Sequence, residues 1–200
     1  RLYADGVFPT ADGRAKFSAA AVRPTAEKRD AHYPFSLTTG RLRDQWHGAS
    51  RTGTLGRLFG HASEPVAELH PTDLARLRVN SGDLVTLKTR RGSIVMPAAA
   101  SESVAPAQAF VAMHWGSEFM TGAGVNALTT GAFCPQSKQP ELKHAAVKIT
   151  KAELPYRVMA RAWLDADTAL TRRAQGLQLL SDLPYAACVP FGREPDDKVG

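Results

Sequence analysis

The sequence predicts a small, mostly β barrel with one helix among its strands and a helical C-terminal tail. Three observations favour this class over a parallel α/β sheet. Short apolar stretches recur between turn signals from residue 34 to residue 150, only one segment among them is helical, and two long polar stretches interrupt the series. With 44% hydrophobic and 22% charged residues, a chain of 200 residues can bury a sizeable core.

The first half of the predicted barrel consists of two strands and a helix. Strands are expected over 34–39 and 66–70, where apolar residues are bounded by turn signals. Pro71 opens the helix, because proline suits the first helical turn, and Asp73 complements the helix dipole. The polar segment 80–83 is expected to end it.

The second half is predicted to begin with a β-hairpin. Its arms, 84–90 and 93–98, are rich in β-branched residues and are joined by Arg91 and Gly92. Further strands are expected over 109–113 and 147–150. The last of these would close the barrel.

The chain divides into three predicted parts. Residues 1–30 form a charged lead-in without apolar periodicity, residues 31–150 form the barrel, and residues 151–200 form the tail. Because the chain begins on Arg1 and stops within ordered-looking sequence, we expect it to be a piece of a larger protein.

The tail has helical spacing of apolar residues over 156–173, and Gly176 is expected to stop that helix. A strand is predicted over 185–191. Because so short a segment cannot build its own core, we expect it to pack on the barrel or on the rest of the polypeptide.

The charge of the chain is distributed unevenly along the sequence. The formal net charge is +6, and residues 41–63 contain a single acid, Asp44. The basic residues of this segment are Arg41, Arg43, Arg51 and Arg57. Glycines and a tryptophan are interleaved with them, which favours a shaped pocket for a phosphate-bearing ligand over a nucleic-acid footprint.

Side chains of this loop can bind an anionic heterocyclic ligand. Gly40 lets the backbone approach a ligand closely, and Arg41 offers a fork of donors to a phosphate. Trp46 and His47 can lie against a heterocycle, and the group Ser50, Arg51 and Thr52 can donate to phosphate or carbonyl oxygens. The alternative is a solvated basic loop with Trp46 folded into the core.

A second group of polar residues follows the later strands. His114 and Trp115 come directly after a predicted strand, where they can face a ligand or serve as a structural histidine and a core tryptophan. Asn126 can read a base or pterin edge, or form a turn. Lys143 can approach a phosphate or cap the strand that follows.

The chain lacks the motifs of a self-contained enzyme. It contains no GxSxG, P-loop, HExxH or GxGxxG motif. Cys134 and Cys188 are far apart in the sequence and cannot alone form a zinc or iron–sulfur site. No apolar run is long enough to span a bilayer, and the low cysteine content favours a reducing, cytoplasmic location.

Four motifs occur in a fixed order within residues 31–150. They are YPFSLTTGRLRDQWHGASRTG, EPVAELHPTDLARLRVNSGDLVTLKTRRGSI, FVAMHWGSEF, and VNALTT leading to CPQSKQPELKHAAV. In these motifs the chain resembles the C-terminal, molybdopterin-dinucleotide-binding domain of molybdenum oxidoreductases of the dimethyl-sulfoxide-reductase superfamily. The runs RDQWH, SRTG and QPELK look most like the catalytic subunit of bacterial assimilatory nitrate reductase. Cys134 departs from this pattern, which usually has Asp at that position.

The resemblance implies a double-psi β-barrel that binds bis-molybdopterin guanine dinucleotide. It carries over no catalytic residue and no metal ligand, because the ligand to molybdenum and the cysteines of a 4Fe-4S cluster would lie upstream of Arg1. The candidate cofactor contacts that it implies are Thr39, Gly40, Arg41, Gln45, Trp46, His47, Ser50, Arg51, Thr52, His114, Trp115, Asn126 and Lys143.

In the intact enzyme the resemblance implies reduction of nitrate to nitrite. The expected partners are the remainder of the polypeptide and an electron donor, either a reductase subunit or ferredoxin or flavodoxin, without nucleic acid or a membrane span. One alternative is the equivalent domain of a formate dehydrogenase or another molybdenum or tungsten oxidoreductase. An alternative of a different class is a nucleic-acid-binding β-barrel that uses the basic loop.

Overall fold

Six strands close into a barrel, as the sequence predicts. The computed structural model describes residues 1–19, 21–154, 156 and 158–189. Around the barrel the strands follow the order β1-β5-β2-β4-β3-β6. Their bounds are β1 Phe35–Gly40, β2 Ala67–Leu69, β3 Leu84–Lys88, β4 Ser93–Ala100, β5 Gln108–Ala112 and β6 Ala145–Lys151. Each of the six predicted strands is therefore present, and its ends differ from the predicted ones by at most two residues.

The barrel mixes parallel and antiparallel pairs. β1 pairs in parallel with β5 and β2 with β4, whereas the other neighbours are antiparallel. In the first parallel pair Gly40 lies opposite Ala112, so that both strands end at the same rim. The first loop (residues 41–66) and the second loop (residues 113–144) therefore leave the barrel side by side.

The barrel interior is filled by side chains that alternate along the strands. In β1, Phe35, Leu37 and Thr39 are buried while the intervening residues are partly exposed, the two-residue period of a half-buried strand. The other strands contribute buried residues in the same way, among them Leu69, Val85, Leu87, Met96, Val111, Val147 and Ile149. The interior is therefore a packed, mainly apolar core.

Helix α1 (Pro71–Leu77) connects β2 to β3 and begins at the predicted proline. The His70 side chain caps it by accepting a hydrogen bond from the Thr72 amide at 3.2 Å. Its end is earlier than predicted, because Arg78 adopts a left-handed conformation with φ 55° and already closes the last turn. Buried Asp73 accepts a hydrogen bond from the Ala107 amide at 2.7 Å, which ties the helix to the segment before β5.

The predicted hairpin forms, with a longer turn than expected. β3 and β4 pair antiparallel from Lys88 opposite Ser93, and the Thr89 amide donates to the Gly92 carbonyl at 2.9 Å. The turn therefore spans residues 89–92 and not Arg91 and Gly92 alone. Arg90 and Arg91 lie within this turn, and both side chains contact Glu27 of the lead-in.

The end of the lead-in is bound to the barrel. Glu27 forms ion pairs with Arg90 at 2.7 Å and Arg91 at 2.9 Å, and its carboxylate accepts from the Ala146 amide at 3.0 Å. His144 donates through Nε2 to the Glu27 carbonyl and accepts through Nδ1 from the Ser36 hydroxyl, both at 2.7 Å. The charged segment before the barrel is thus fastened to it.

The tail contains a helix at a position different from the predicted one. Helix α2 spans Ala166–Leu179, where the sequence predicts 156–173. It starts later because Asp165 caps it, accepting from the Thr168 amide at 2.9 Å. It ends later because Gly176 is accommodated inside the helix, near the Cys188 sulfur.

The strand predicted over 185–191 is reduced to one bridge in the described residues, between Ala187 and Met120; residues 190 and 191 lie outside the described part. The tail nevertheless packs on the barrel side as expected, because Leu177 is buried and the Thr121 amide donates to the Ala186 carbonyl at 2.9 Å. No helix within the described ranges combines the length and hydropathy needed to cross a bilayer.

Candidate functional site

One buried histidine joins the two loops at the barrel rim. His114 follows β5 and is 1% exposed. Its Nε2 accepts from the Leu42 amide at 2.9 Å, and its Nδ1 donates to the His47 carbonyl. The Leu42 amide can only donate, so these partners assign the ring proton to Nδ1. His114 therefore holds the first loop against the end of β5 and, within the described residues, has both ring nitrogens engaged.

A second set of hydrogen bonds closes the first loop on itself. Gln45 is buried; its Nε2 donates to the Leu58 carbonyl at 3.1 Å and its Oε1 accepts from the Thr52 hydroxyl at 2.6 Å. The same hydroxyl accepts from the Trp46 amide at 3.2 Å. The backbone between these residues is tightly wound, with left-handed conformations at His47 (φ 45°) and Ala49 (φ 60°). The exposed side chains of this segment, Trp46, His47, Ser50 and Arg51, therefore extend from a closed base, while Ala49 is buried.

An aromatic cluster supports both loops from below. Trp115 is 3% exposed and packs with Phe59 and Phe119, with ring centroids 5.7 to 6.2 Å apart. Such spacing is typical of tilted and edge-to-face aromatic pairs. In this chain Trp115 lies in the core beneath the loops, whereas Trp46 is 50% exposed above them.

The arginines of the first loop differ in their partners. Arg43 forms two parallel hydrogen bonds with Asp44, each 2.8 Å long, and this guanidinium lowers the pKa of the Asp44 carboxyl. Arg41 and Arg51 are exposed, and within the described ranges neither guanidinium has a hydrogen-bonded or ion-paired acceptor. Arg41 lies 5.7 Å from the centroid of the Trp46 ring. The rim therefore carries exposed positive charge next to an exposed indole.

The end of β1 is fixed to the start of β6. The Lys143 ammonium donates to the Thr39 carbonyl at 2.6 Å, and the Thr39 hydroxyl donates to the Leu142 carbonyl at 2.7 Å. Gly40 is needed for packing, because a Cβ there would lie 2.6 Å from Cε2 of Phe110. Lys143 thus lies at the same rim as Arg41, with its ammonium already bound to backbone.

Asn126 is exposed on a short 3-10 helix of the second loop, Val125–Leu128. The preceding Gly124 has φ 68°, and a Cβ there would lie 2.6 Å from the Trp115 carbonyl oxygen. The second loop is therefore packed closely against Trp115, and this packing presents the Asn126 amide to solvent.

The predicted site residues fall into two groups. The residues that form the frame of the loops are Thr39, Gly40, Gln45, Thr52, His114 and Trp115. The exposed ones are Arg41, Trp46, His47, Ser50, Arg51, Asn126 and Lys143. The sequence analysis did not identify Gly53 as a site residue. A Cβ there would lie 2.5 Å from Cζ of Phe119 and 2.6 Å from the Ala49 carbonyl oxygen. Its position at the end of the polar run SRTG was the signal that could have identified it.

The barrel is closed and mixes parallel and antiparallel pairs, and its two loops are joined at one rim that carries exposed guanidinium groups. These features define a β-barrel module suited to an anionic ligand. Residues 35–146 match the family model described as the Molydopterin dinucleotide binding domain. The chain belongs to this family.

Curated relatives in this family include redox enzymes of two kinds. The chain is 38% identical over 138 residues to a nitrate reductase of Klebsiella oxytoca, covering 69% of this chain and 16% of the relative. It is 45% identical over 150 residues to a nitrate reductase of Synechocystis, covering 75% and 21%. An F420-dependent formate dehydrogenase subunit alpha of Methanocaldococcus jannaschii is 36% identical over 144 residues, covering 72% and 21%. The chain therefore spans about a fifth of the length of these relatives.

Among solved structures, the acetylene hydratase of Pelobacter acetylenicus superposes with a TM-score of 0.51 at 19% sequence identity. The match covers 60% of this chain and 18% of that one. At this identity the likeness concerns the fold. Together with the closed six-stranded barrel it confirms the double-psi β-barrel that the sequence motifs imply.

Proposed function

We propose that this chain is the part of an assimilatory nitrate reductase catalytic subunit that binds bis-molybdopterin guanine dinucleotide. The observation that carries the proposal is the pair of exposed guanidinium groups, Arg41 and Arg51, without acceptors in the described residues, at the rim where two loops meet. The family match and the nitrate reductase relatives support the choice of ligand and of reaction.

The donor set fits a pyrophosphate-linked nucleotide. Arg41 and Arg51 offer planar forks of donors, which match phosphate oxygens, and Ser50 adds a hydroxyl between them in sequence. Each charge-assisted hydrogen bond contributes about 1.5 to 3 kcal/mol to binding. The hydrogen bonds of Gln45 already hold this loop in one conformation. Binding an anion to Arg41 and Arg51 would therefore not require the entropic cost of ordering a flexible segment.

The purine and pterin rings require flat surfaces and paired donors and acceptors. Trp46 offers an exposed indole face, and the Asn126 amide can donate and accept together. His114, Gln45 and Thr52 would act beneath them as the frame. The role of this chain is therefore to bind, orient and shield the cofactor.

The bound molybdenum centre would supply the chemistry, a two-electron reduction of nitrate to nitrite with transfer of an oxygen atom. We assign no catalytic residue to this chain, and among its described residues no three His, Cys, Asp or Glu side chains gather as a metal site. A 4Fe-4S cluster in the upstream part of the polypeptide, a reductase subunit or ferredoxin or flavodoxin as electron donor, and a cytoplasmic location complete the proposal.

The function is tested with the full-length enzyme. The purified protein should contain molybdenum and release guanylate on acid hydrolysis, and it should reduce nitrate with a reduced viologen dye. Oxidation of formate without reduction of nitrate would instead establish the main alternative, a formate dehydrogenase, which the relative from Methanocaldococcus jannaschii favours. The sequence upstream of Arg1 separates the two as well, since a selenocysteine or its neighbouring histidine near the metal ligand points to formate.

A further inference from the structure

One side chain of the tail helix reaches the first loop. Arg173 lies on α2, partly buried against the second loop, and its Nη1 donates to the Gly53 carbonyl at 3.0 Å. Its guanidinium covers the Phe119 ring, with Cζ 4.4 Å from the ring centroid. Burial lowers the pKa of Arg173, and the nearby Glu118 and Cys188 oppose that shift. An arginine remains protonated at neutral pH, so the donor is permanent.

Gly53, whose carbonyl accepts this hydrogen bond, is closely packed against its neighbours. Its amide donates to the Ala49 carbonyl at 2.6 Å, and a Cβ at this position would overlap both Ala49 and Phe119. The Phe119 ring that Arg173 covers is also the ring that leaves no room for a Cβ at Gly53. The tail helix, the second loop and the end of the basic segment therefore meet around one phenylalanine.

The residues between Ala49 and Gly53 are the phosphate-binding candidates of the loop. Ser50 and Arg51 are exposed, and Thr52 is tied to Gln45 on the barrel side. The Gln45 hydrogen bond fixes one side of this short turn, and Arg173 fixes its far end. A charged donor bound to a backbone carbonyl holds that carbonyl more strongly than a neutral donor does.

We propose that Arg173 is a positioning residue for cofactor binding: from the tail helix, it holds residues 49–53 in the conformation that presents Ser50 and Arg51 to the pyrophosphate of the dinucleotide. The inference rests on the proposed function. It assigns to the tail after the barrel a role in the site, although the tail lies beyond the matched family domain.

The test compares three variants of the full-length enzyme. Arg173→Gln removes the charged donor, Arg173→Lys keeps a charge and a donor without the planar fork, and Arg172→Gln is the matched control. Arg172 is the exposed neighbour on the same helix, and its Nη1 bonds only to Gln175 within that helix, at 3.0 Å, among the contacts of the described residues. Hydrogen exchange of residues 49–55 is measured in enzyme prepared from a host that does not make the cofactor, so that exchange reports the loop itself.

We expect Arg173→Gln to speed exchange of the Gly53 amide about 10-fold, the effect of losing a hydrogen bond to a charged group. Arg173→Lys should recover most of the protection, and Arg172→Gln should match wild type. In enzyme made with the cofactor, Arg173→Gln should retain less guanylate than Arg172→Gln. If Arg173→Gln does not fold, Arg173→Met takes its place, because it removes the donor and keeps an apolar side chain over the Phe119 ring. Faster exchange than in Arg172→Gln then supports the proposal, and equal exchange overturns it.

The Arg41→Ala variant distinguishes a failure of the positioning role of Arg173 from a failure of the proposed function. If Arg41→Ala loses guanylate while Arg173→Gln behaves like Arg172→Gln in both measurements, the positioning role is wrong and the proposed function stands. If Arg41→Ala retains the guanylate content of wild type, the proposed function is wrong and the role of Arg173 in cofactor binding is rejected with it.

Discussion

His114 and His47 are joined by a hydrogen bond from the Nδ1 of the first to the backbone carbonyl of the second. They belong to different loops, 67 positions apart in the sequence. Because the Nε2 of the same ring accepts from the Leu42 amide, one imidazole determines where the first loop leaves the barrel. The cofactor contacts that we propose depend on this geometry.

Replacing His114 with alanine should therefore destabilise the fold and loosen the first loop. The substitution removes two hydrogen bonds and leaves a cavity, which costs about 2 to 4 kcal/mol in the free energy of unfolding. Equilibrium denaturation of the 200-residue chain measures the loss. His61→Ala, which alters an exposed histidine, is the control. Equal stabilities of the two variants would contradict the conclusion that His114 holds the first loop against β5.

The first loop also depends on a glycine. Gly53→Ala places a methyl group 2.5 Å from Phe119 and 2.6 Å from the Ala49 carbonyl oxygen, an overpacking that costs about 1 to 3 kcal/mol. Gly48→Ala is matched to it, because a Cβ at Gly48 meets no atom within 4 Å. We expect a lower denaturation midpoint for Gly53→Ala alone. Equal midpoints would show that the loop moves freely, contrary to the packing described here.

Stability should fall at acid pH through Glu27. Burial opposes ionisation of this carboxyl, but hydrogen bonds from Arg91, Arg90 and the Ala146 amide outweigh it and lower the pKa to about 2. A pKa lower in the folded than in the unfolded state, here from 4.5 to about 2, stabilises the fold above the unfolded value. That contribution is lost as the pH falls from about 4.5 to 2, and it amounts to about 3 kcal/mol.

The comparison of Glu27→Gln with wild type isolates this effect. At pH 7 the variant should be less stable by about 3 kcal/mol, and the difference should close as the pH falls below 4.5. Glu102→Gln changes an exposed glutamate and should follow the wild-type curve. A Glu27→Gln deficit that persists unchanged at pH 2.5 would mean that the ionised carboxylate is not its source.

The local signals in the sequence were sufficient for the barrel strands and for α1. Period-two burial in β1 and the proline at the start of α1 are properties of neighbouring residues, and these elements appear where they were predicted. The parallel pairing of β1 with β5 joins segments 72 positions apart and leaves no local pattern. Because of that pairing, the two loops leave the barrel at the same rim. That the two loops lie together was suggested only by the resemblance to a family.

The tail helix was misplaced for a related reason. Its apolar residues at 156–164, Met159 and Trp163 among them, are exposed in this chain, while the helix itself begins at the Asp165 cap. Apolar residues at helical spacing therefore did not form a helix here, and the capping residue Asp165 marked the start of the helix better than the spacing did.

For His114, the sequence left a ligand-facing role and a structural role open. Its two hydrogen-bonded partners come from a loop that is distant in sequence, so no local pattern could decide between these roles.

Two arginines of the first loop, Arg41 and Arg51, are the proposed cofactor contacts. Arg41 and Arg51 lack acceptors within the described chain, whereas Arg43 is paired with Asp44 through both ends of its fork. The direct measurement is the molybdenum and guanylate content of the full-length enzyme with each arginine changed in turn to alanine. We expect Arg41→Ala and Arg51→Ala to contain less molybdenum and guanylate than wild type, because each loses a charge-assisted contact worth about 10-fold or more in cofactor affinity. Arg43→Ala should retain the wild-type content. Equal retention by all three variants, or loss confined to Arg43→Ala, would contradict these expectations.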